Sequence, residues 1–217
     1  MASVMAGKVE RALLLGGGGH ARVAADVARA MGLTIVGIVA PDAPAWGGLP
    51  WLGGDEAVAG FNPADVVLIN GTGAVRAQGP DGLRRRLFDS FRTRGYRFAT
   101  LVHPSTVIAP DVALEEGAQV FAGAVLQPGC RIGANAIVNT RAGIDHDTDV
   151  GAYAHIAPGA TLCGGVIVGE GALVGAGATV LPGVRIGARA VLAGGAVATA
   201  DVPDGATARG VPARCRE

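Results

Sequence analysis

Aromatic residues make up only 4% of the 217-residue sequence, too few for a core assembled from large rings. Charge is also scarce: 17% of residues are charged, and 18 acids balance 18 bases. The basic field that nucleic-acid binding requires is therefore missing. The three cysteines, Cys130, Cys163 and Cys215, have no close pairing spacing. They read as free thiols of a reducing cytosol rather than a disulfide framework. Half the residues are hydrophobic, yet no run of eighteen apolar residues occurs, so no transmembrane helix is expected. Met1 to Glu10 lacks a basic region followed by a long apolar one, so no secretory signal is expected and a cytoplasmic location follows. Histidine occurs only four times.

Glycine is abundant, at 36 residues, and from Val102 to Val197 the chain keeps a six-residue period. Stepping by six from Val102 to Leu192 meets sixteen aliphatic residues without a break. The residue four places after each is small or β-branched, from Thr106 and Val112 through Ala190 to Ala196. A period of six fits neither an α-helix nor ordinary strands joined by irregular turns; it specifies a hexapeptide parallel β-helix. Each hexad supplies a short strand and a turn, and three hexads close a triangular coil. The large residue then stacks on its counterpart eighteen residues later, one strand spacing of about 4.8 Å along the axis. Five coils and a fraction make a prism roughly 25 Å long.

The preceding segment has a different pattern. Arg11 to Leu15 reads as a buried parallel strand ending in Gly16-Gly17-Gly18-Gly19-His20. Ala21 to Met31 has helical spacing, with Val23, Val27 and Ala30 on one face, and Gly32 stops it. Leu33 to Val39 is a second strand, completing a βαβ unit. Pro41 to Gly54 reads as a loop, Asp55 to Gly60 as a short helix, and Asp65 to Ile69 as a third strand, followed by a second glycine turn, Asn70 to Gly73. Pro80 to Arg94 places Leu83, Leu87 and Phe91 on one face of an amphipathic helix. Phe98 to Val102 is a last strand. The fold expected is a Rossmann-like α/β domain over residues 1–101, followed by a β-helix domain over residues 102–217.

Gly16, Gly18 and Ala21 satisfy a loose dinucleotide fingerprint, in which glycines let phosphate approach a helix N-terminus. The carboxylate expected about twenty residues on is displaced to Asp42. A mononucleotide or nucleotide-sugar suits so small a domain better than NAD, and an empty turn is the alternative. The second glycine turn, containing Gly71, lies at the same sheet edge. On the prism, His146 lies between Asp145 and Asp147 in an outward-facing slot. A carboxylate there can fix the imidazole tautomer and stabilise the imidazolium, which suits a general base. His155 either lines a cofactor groove or decorates the surface. His20 contacts substrate phosphate or sugar, or caps the helix, and His103 reads as structural. His146 and His155 alone do not make a zinc set, so no metal is expected.

GGGGHARV on a small α/β domain, an unbroken hexapeptide prism, IDHD within it and GVPAR at the end together resemble the bacterial sugar acetyltransferases. The subgroup resembled includes the N-acetyltransferases of the bacillosamine and perosamine pathways and the sialic acid O-acetyltransferases. The resemblance implies a left-handed β-helix, a homotrimer, acetyl-CoA in a groove between neighbouring prisms, and a nucleotide-linked amino sugar on the amino-terminal domain. It implies that His146 is the base and Asp147 its hydrogen-bond partner, where Glu is commoner in the family. It further implies Asn139 near the sugar, and His155, Gly164 and Gly194 along the CoA. The tetrahedral oxyanion of such a transfer needs a backbone N–H nearby, which a solenoid glycine turn such as Gly164 is expected to supply. Gly16, Gly18, Gly19, His20, Asp42 and Gly71 would contact the nucleotide-sugar. Many family members that bind UDP carry two acids where this chain has Ala40-Pro41, a departure that tilts towards a GDP-sugar such as GDP-perosamine. The reaction implied is acetyl transfer to the sugar C4 amine for bacterial surface glycans. The alternatives are a sugar O-acetyltransferase, a non-catalytic nucleotide-binding scaffold and NAD-dependent chemistry.

Overall fold

The computed structural model describes residues 11–74, 77 and 82–215. Strand β1 (Arg11–Leu15) feeds helix α1 (Gly19–Ala30), which returns to β2 (Thr34–Val39). Gly32, at φ +83°, closes α1 with two reciprocal bonds, Gly32 N to Arg29 O and Leu33 N to Ala28 O. That is the Schellman arrangement in which only glycine adopts the left-handed residue freely. Then come β3 (Trp51–Gly53), a 3₁₀ turn at Asp55–Gly60, β4 (Val67–Asn70), α2 (Leu83–Thr93) and β5 (Arg97–Phe98). The five strands form one sheet in the order β3-β2-β1-β4-β5, with every neighbouring pair parallel. The strand order reverses between β1 and β4, the switch point at which open α/β sheets place ligands. Both glycine turns leave the sheet there.

Four local expectations are corrected. The segment Pro41 to Gly54 is not all loop: Trp51–Gly53 pairs with β2 as an edge strand. The buried face of α1 is Ala21, Ala24, Ala25, Val27 and Ala28, while Val23 and Ala30 are exposed. Alanines let the helix lie close on the sheet, and a short apolar stripe outweighs the larger valine in setting its rotation. In α2, Leu83 is exposed and Arg84, Leu87, Phe88 and Phe91 are buried; Pro80 and Asp81 lie outside the described residues. The run Phe98 to Val102 divides, because Phe98 pairs with β4 and Leu101–Val102 is the first strand of the prism.

The prism has three parallel faces, each repeating at eighteen residues, as in Val125 opposite Gly143 and Arg131 opposite Asp149. The first face carries Leu101–Val102, Gln119–Val120, Ile137–Val138, His155–Ile156 and their successors. The second begins at Val107–Ile108 and the third at Ala113–Leu114. The second residue of each strand points inward, and the small residue four places on joins it, so the interior is a continuous stack from Ala118 to Ala208. Thr207–Arg209 extends the first face and Arg214–Cys215 closes it antiparallel.

On an isolated prism the first residue of each strand would face water. On the first face, however, Leu101, Gln119 and Ile137 are 0% exposed, whereas Val107 on the second face is 64% exposed. The α/β domain covers the first face. Leu101, Phe121 and Ile137 join the core beneath α1, and Tyr153 joins the core beneath α2. The domain's apolar interior thus continues into the outer surface of the first coils.

Candidate active site

From Gly117 to Gly195 each turn of the prism places one residue in the left-handed region, and the sequence mostly supplies glycine there, as at Gly129 (φ +77°) and Gly165 (φ +68°). Five non-glycine residues take such a slot: Asn135, Arg141, Asp147, Tyr153 and Arg189. A side chain kept in this region costs on the order of 1 kcal/mol, so its chemistry is the reason to look there. Asp147, at φ +58°, is one of them.

His146 and Asp147 stand on the edge between the second and third faces. His146 Nδ1 lies 2.9 Å from Asp147 Oδ2, and the His146 backbone N–H donates to Asp145 Oδ1 at 2.8 Å. A carboxylate oxygen only accepts, so Nδ1 carries the hydrogen and Nε2 is left to take a proton. The bond to Asp147, followed by the charge of Asp145, raises the His146 pKa above its ordinary 6.5. The ring lies on the next coil: a Cβ added to Gly164 would sit 2.4 Å from Nε2. A Cβ at Gly129 would likewise meet Asp147 Oδ1 at 2.5 Å. Glycines one coil above the imidazole and one coil below the carboxylate therefore make room for the pair. The Gly164 N–H has no hydrogen-bond partner among the described residues, and so remains available as a donor.

A second cluster lies where the α/β domain meets the first face. A cavity of about 280 Å³ is lined by Gly19, His20, Gly73, Asn139, Thr140 and His155, among others. His155 Nδ1 is 2.5 Å from Ala74 O, and Asn139 Nδ2 is 3.1 Å from His155 Nε2. His20 Nε2 is 2.8 Å from Gln119 Oε1. Burial, aided by the nearby charge of Arg84, lowers the His20 pKa to about 4 and lowers that of His155. Arg84 lies behind this wall at 1% exposure, donating to Asn135 O, Asn70 O and Thr72 O at 2.9, 3.0 and 2.8 Å. Burial depresses its own pKa to about 9.

The glycine turns serve packing as much as openness. Gly16, at φ +102°, lies against Gly71 and Thr72, while a Cβ at Gly71 would meet Leu15 O at 2.6 Å and the Ala21 Cβ at 2.8 Å. Gly71 thus lets the second turn tuck under the start of α1. Gly18 and Gly19 are open, with nothing within 4 Å of an added Cβ. The Pro41 to Leu49 loop folds over the turn, and Trp46 Nε1 donates to Gly17 O at 2.7 Å. Asp42 is exposed on that loop.

Residues 11–80 match the PglD N-terminal domain and residues 165–200 the bacterial transferase hexapeptide (six repeats). The structure of PerB from Caulobacter crescentus in complex with CoA and GDP-perosamine is 39% identical. It superimposes with a TM-score of 0.88, covering 97% of this chain and 99% of that one. The chain belongs to the bacterial hexapeptide-repeat sugar N-acetyltransferases. A second relative, the acetyltransferase domain of PglB from Neisseria gonorrhoeae in complex with acetyl coenzyme A, is 31% identical with a TM-score of 0.86, covering 96% of this chain and 100% of that one. The prism is thereby the left-handed β-helix of this family.

Within one copy of this sugar acetyltransferase, the residues singled out in the sequence fall into separate groups. His146, Asp147 and Gly164 share one edge. Asn139 and Gly194 share the edge between the first and second faces, Gly194 lying three coils further along the ladder through Gly159, Gly177 and Gly195. His155 lies on the covered first face, 9% exposed, in the cavity with His20 and Asn139. Gly16, Gly18, Gly19 and Gly71 cluster at the sheet's switch point. Gln119, Asn135 and Arg84 were not singled out. Asn135 was detectable as a left-handed slot without glycine, and Gln119 as a polar residue among the aliphatic outward positions of one face. No helix among the described residues is long and apolar enough to cross a membrane, and no group of three or more metal-ligating side chains is found among them.

Proposed function

We propose that this protein transfers acetyl from acetyl-CoA to the C4 amine of GDP-perosamine or a closely similar nucleotide-linked amino sugar, as a homotrimer in the cytoplasm, for bacterial surface glycans. The observation that carries the reading is the 39% identity, over both domains, to a protein described in complex with CoA and GDP-perosamine. The cavity at the switch point supports a sugar site on each copy, with the nucleotide on the open glycines Gly18 and Gly19. In the trimer, acetyl-CoA would lie between neighbouring prisms. Such an arrangement accounts for the separation of His146 and Gly164 from Gly194 and Asn139 on different edges, since a groove between copies is lined by one edge from each.

The chemistry follows from His146. With Nδ1–H held by Asp147, Nε2 accepts the amine proton as nitrogen attacks the thioester carbonyl. The oxyanion then meets the free Gly164 N–H. Collapse expels the CoA sulfur, which takes the proton back from the imidazolium, leaving the amide and CoA thiol. Incubation with acetyl-CoA and GDP-perosamine should give thiol release matched by an N-acetylated sugar nucleotide. Transfer to a UDP-linked amino sugar but not to GDP-perosamine would move the assignment to that substrate, and transfer to neither would overturn it.

A further inference from the structure

Two imidazoles face the cavity, and hydrogen-bond partners that can act in only one way fix the proton on each. Ala74 O can only accept, so His155 carries its hydrogen on Nδ1. Its Nε2 then accepts from the Asn139 amide, whose oxygen is engaged by the Thr140 N–H at 2.8 Å. For His20 the logic runs through Gln119. Asn70 O only accepts, and it lies 2.8 Å from Gln119 Nε2, so the Gln119 amide cannot be turned the other way. Gln119 therefore offers its oxygen to His20 Nε2 at 2.8 Å, and that nitrogen must be the donor. His20 Nδ1 is left bare, with no hydrogen-bond partner among the described residues. It lies on the Gly73 side of the ring, 3.7 Å from where a Cβ on that residue would be. Phe121 meets the ring edge-on with centroids 5.3 Å apart, further holding its plane.

The other groups around this ring discourage a second proton. Arg84 stands behind the wall as a buried cation, and the second imidazole, His155, shares the cavity; no carboxylate is among the cavity-lining residues. A bare imidazole nitrogen repels phosphate oxygens, which are acceptors too, and receives an O–H or N–H donor.

We propose that Gln119 is a positioning residue that fixes His20 as the Nε2–H tautomer, so that His20 Nδ1 accepts a hydrogen bond from a sugar hydroxyl of the substrate rather than contacting its phosphates. The proposal rests on the reading that this cavity holds the sugar. Two arms test it on the full-length protein. In protein labelled with ¹⁵N-histidine, long-range ¹H–¹⁵N correlation should show His20 protonated on Nε2 and bare on Nδ1. Gln119→Leu should give mixed tautomers; Asn70 O still receives Arg84 Nη1 in that variant, so the network is not orphaned. In the kinetic arm, His20→Gln keeps a donor towards Gln119 but offers no acceptor at the Nδ1 position. One lost hydrogen bond should raise KM for GDP-perosamine about tenfold. His20→Asn places an oxygen near the Nδ1 position and should rescue this to about threefold, with both variants unfolding cooperatively and KM for acetyl-CoA unmoved. A wild-type His20 protonated on Nδ1, or equal KM values for the two variants, would overturn the proposal. Transfer by the wild type to neither GDP-perosamine nor a UDP-linked amino sugar would instead refute the functional reading, and the labelled protein would still decide the tautomer.

Discussion

Alanine at Gly164 tests whether His146 acts from where it stands. The Gly164 backbone is not among the left-handed glycines, so an alanine meets no backbone penalty there. The obstacle is the ring: the new Cβ would lie 2.4 Å from His146 Nε2, 2.6 Å from Cε1 and 3.0 Å from Cδ2. Ordinary contact begins near 3.4 Å, so the imidazole must retreat by about 1 Å or rotate off the coil. A displacement of that size in a catalytic group costs on the order of 100-fold in rate. The ring is exposed and has room to move, so stability should change little. Gly165→Ala is the matched control. At φ +68° with nothing within 4 Å of its Cβ, it brings strain without a clash, on the order of 1 kcal/mol, a fall of about 2–4 °C in Tm, and no comparable loss of kcat. Steady-state acetyl transfer and thermal unfolding of the two variants separate the effects. A Gly164→Ala enzyme turning over within a few-fold of wild type would show that the imidazole does not act from its place on Gly164.

Two further outcomes follow from the same geometry. In the proposed mechanism His146 is the neutral base, and Asp147 is the largest cause of its raised pKa. Activity should therefore fall as pH drops through a value above 6.5, and Asp147→Asn should move this acid limb of kcat/KM to lower pH while lowering its plateau; an unmoved limb would contradict the pairing. Arg84→Met removes the donor to Asn135 O and Thr72 O, while Asn70 O keeps Gln119. Two carbonyls left without that donor, partly offset by no longer burying a charge, should cost about 2–4 kcal/mol, a fall of about 10 °C in Tm measurable by calorimetry.

The prism was legible because stacking makes every sixth residue obey one rule, and sixteen consecutive aliphatics leave no other fold. The pair His146–Asp147 was legible for the complementary reason: an imidazole between two carboxylates stands in outward positions given mostly to Gly, Ala or Pro elsewhere on the prism. What the sequence could not display was the docking of the two domains. Gln119 and His155 occupy outward positions that look solvated until the first face is known to be covered. Arg84 reads as one of several arginines on an exposed stripe, and only the carbonyls of Asn70, Thr72 and Asn135, brought together by the fold, explain a buried cation there. Val23 is a poor guide to the buried face of α1, because a row of alanines permits a closer approach to the sheet than one valine does. Phe98 to Val102 looked like one strand because both halves are apolar, although they serve different sheets.

The proposed chemistry stands or falls on His146 as the base for transfer to an amine. The direct measurement is kcat and KM for GDP-perosamine and acetyl-CoA in the wild type and in His146→Ala. Transfer is expected of the wild type, and in the variant a fall in kcat of about 10²–10⁴-fold with both KM values within a few-fold. A variant that retains wild-type kcat would contradict it.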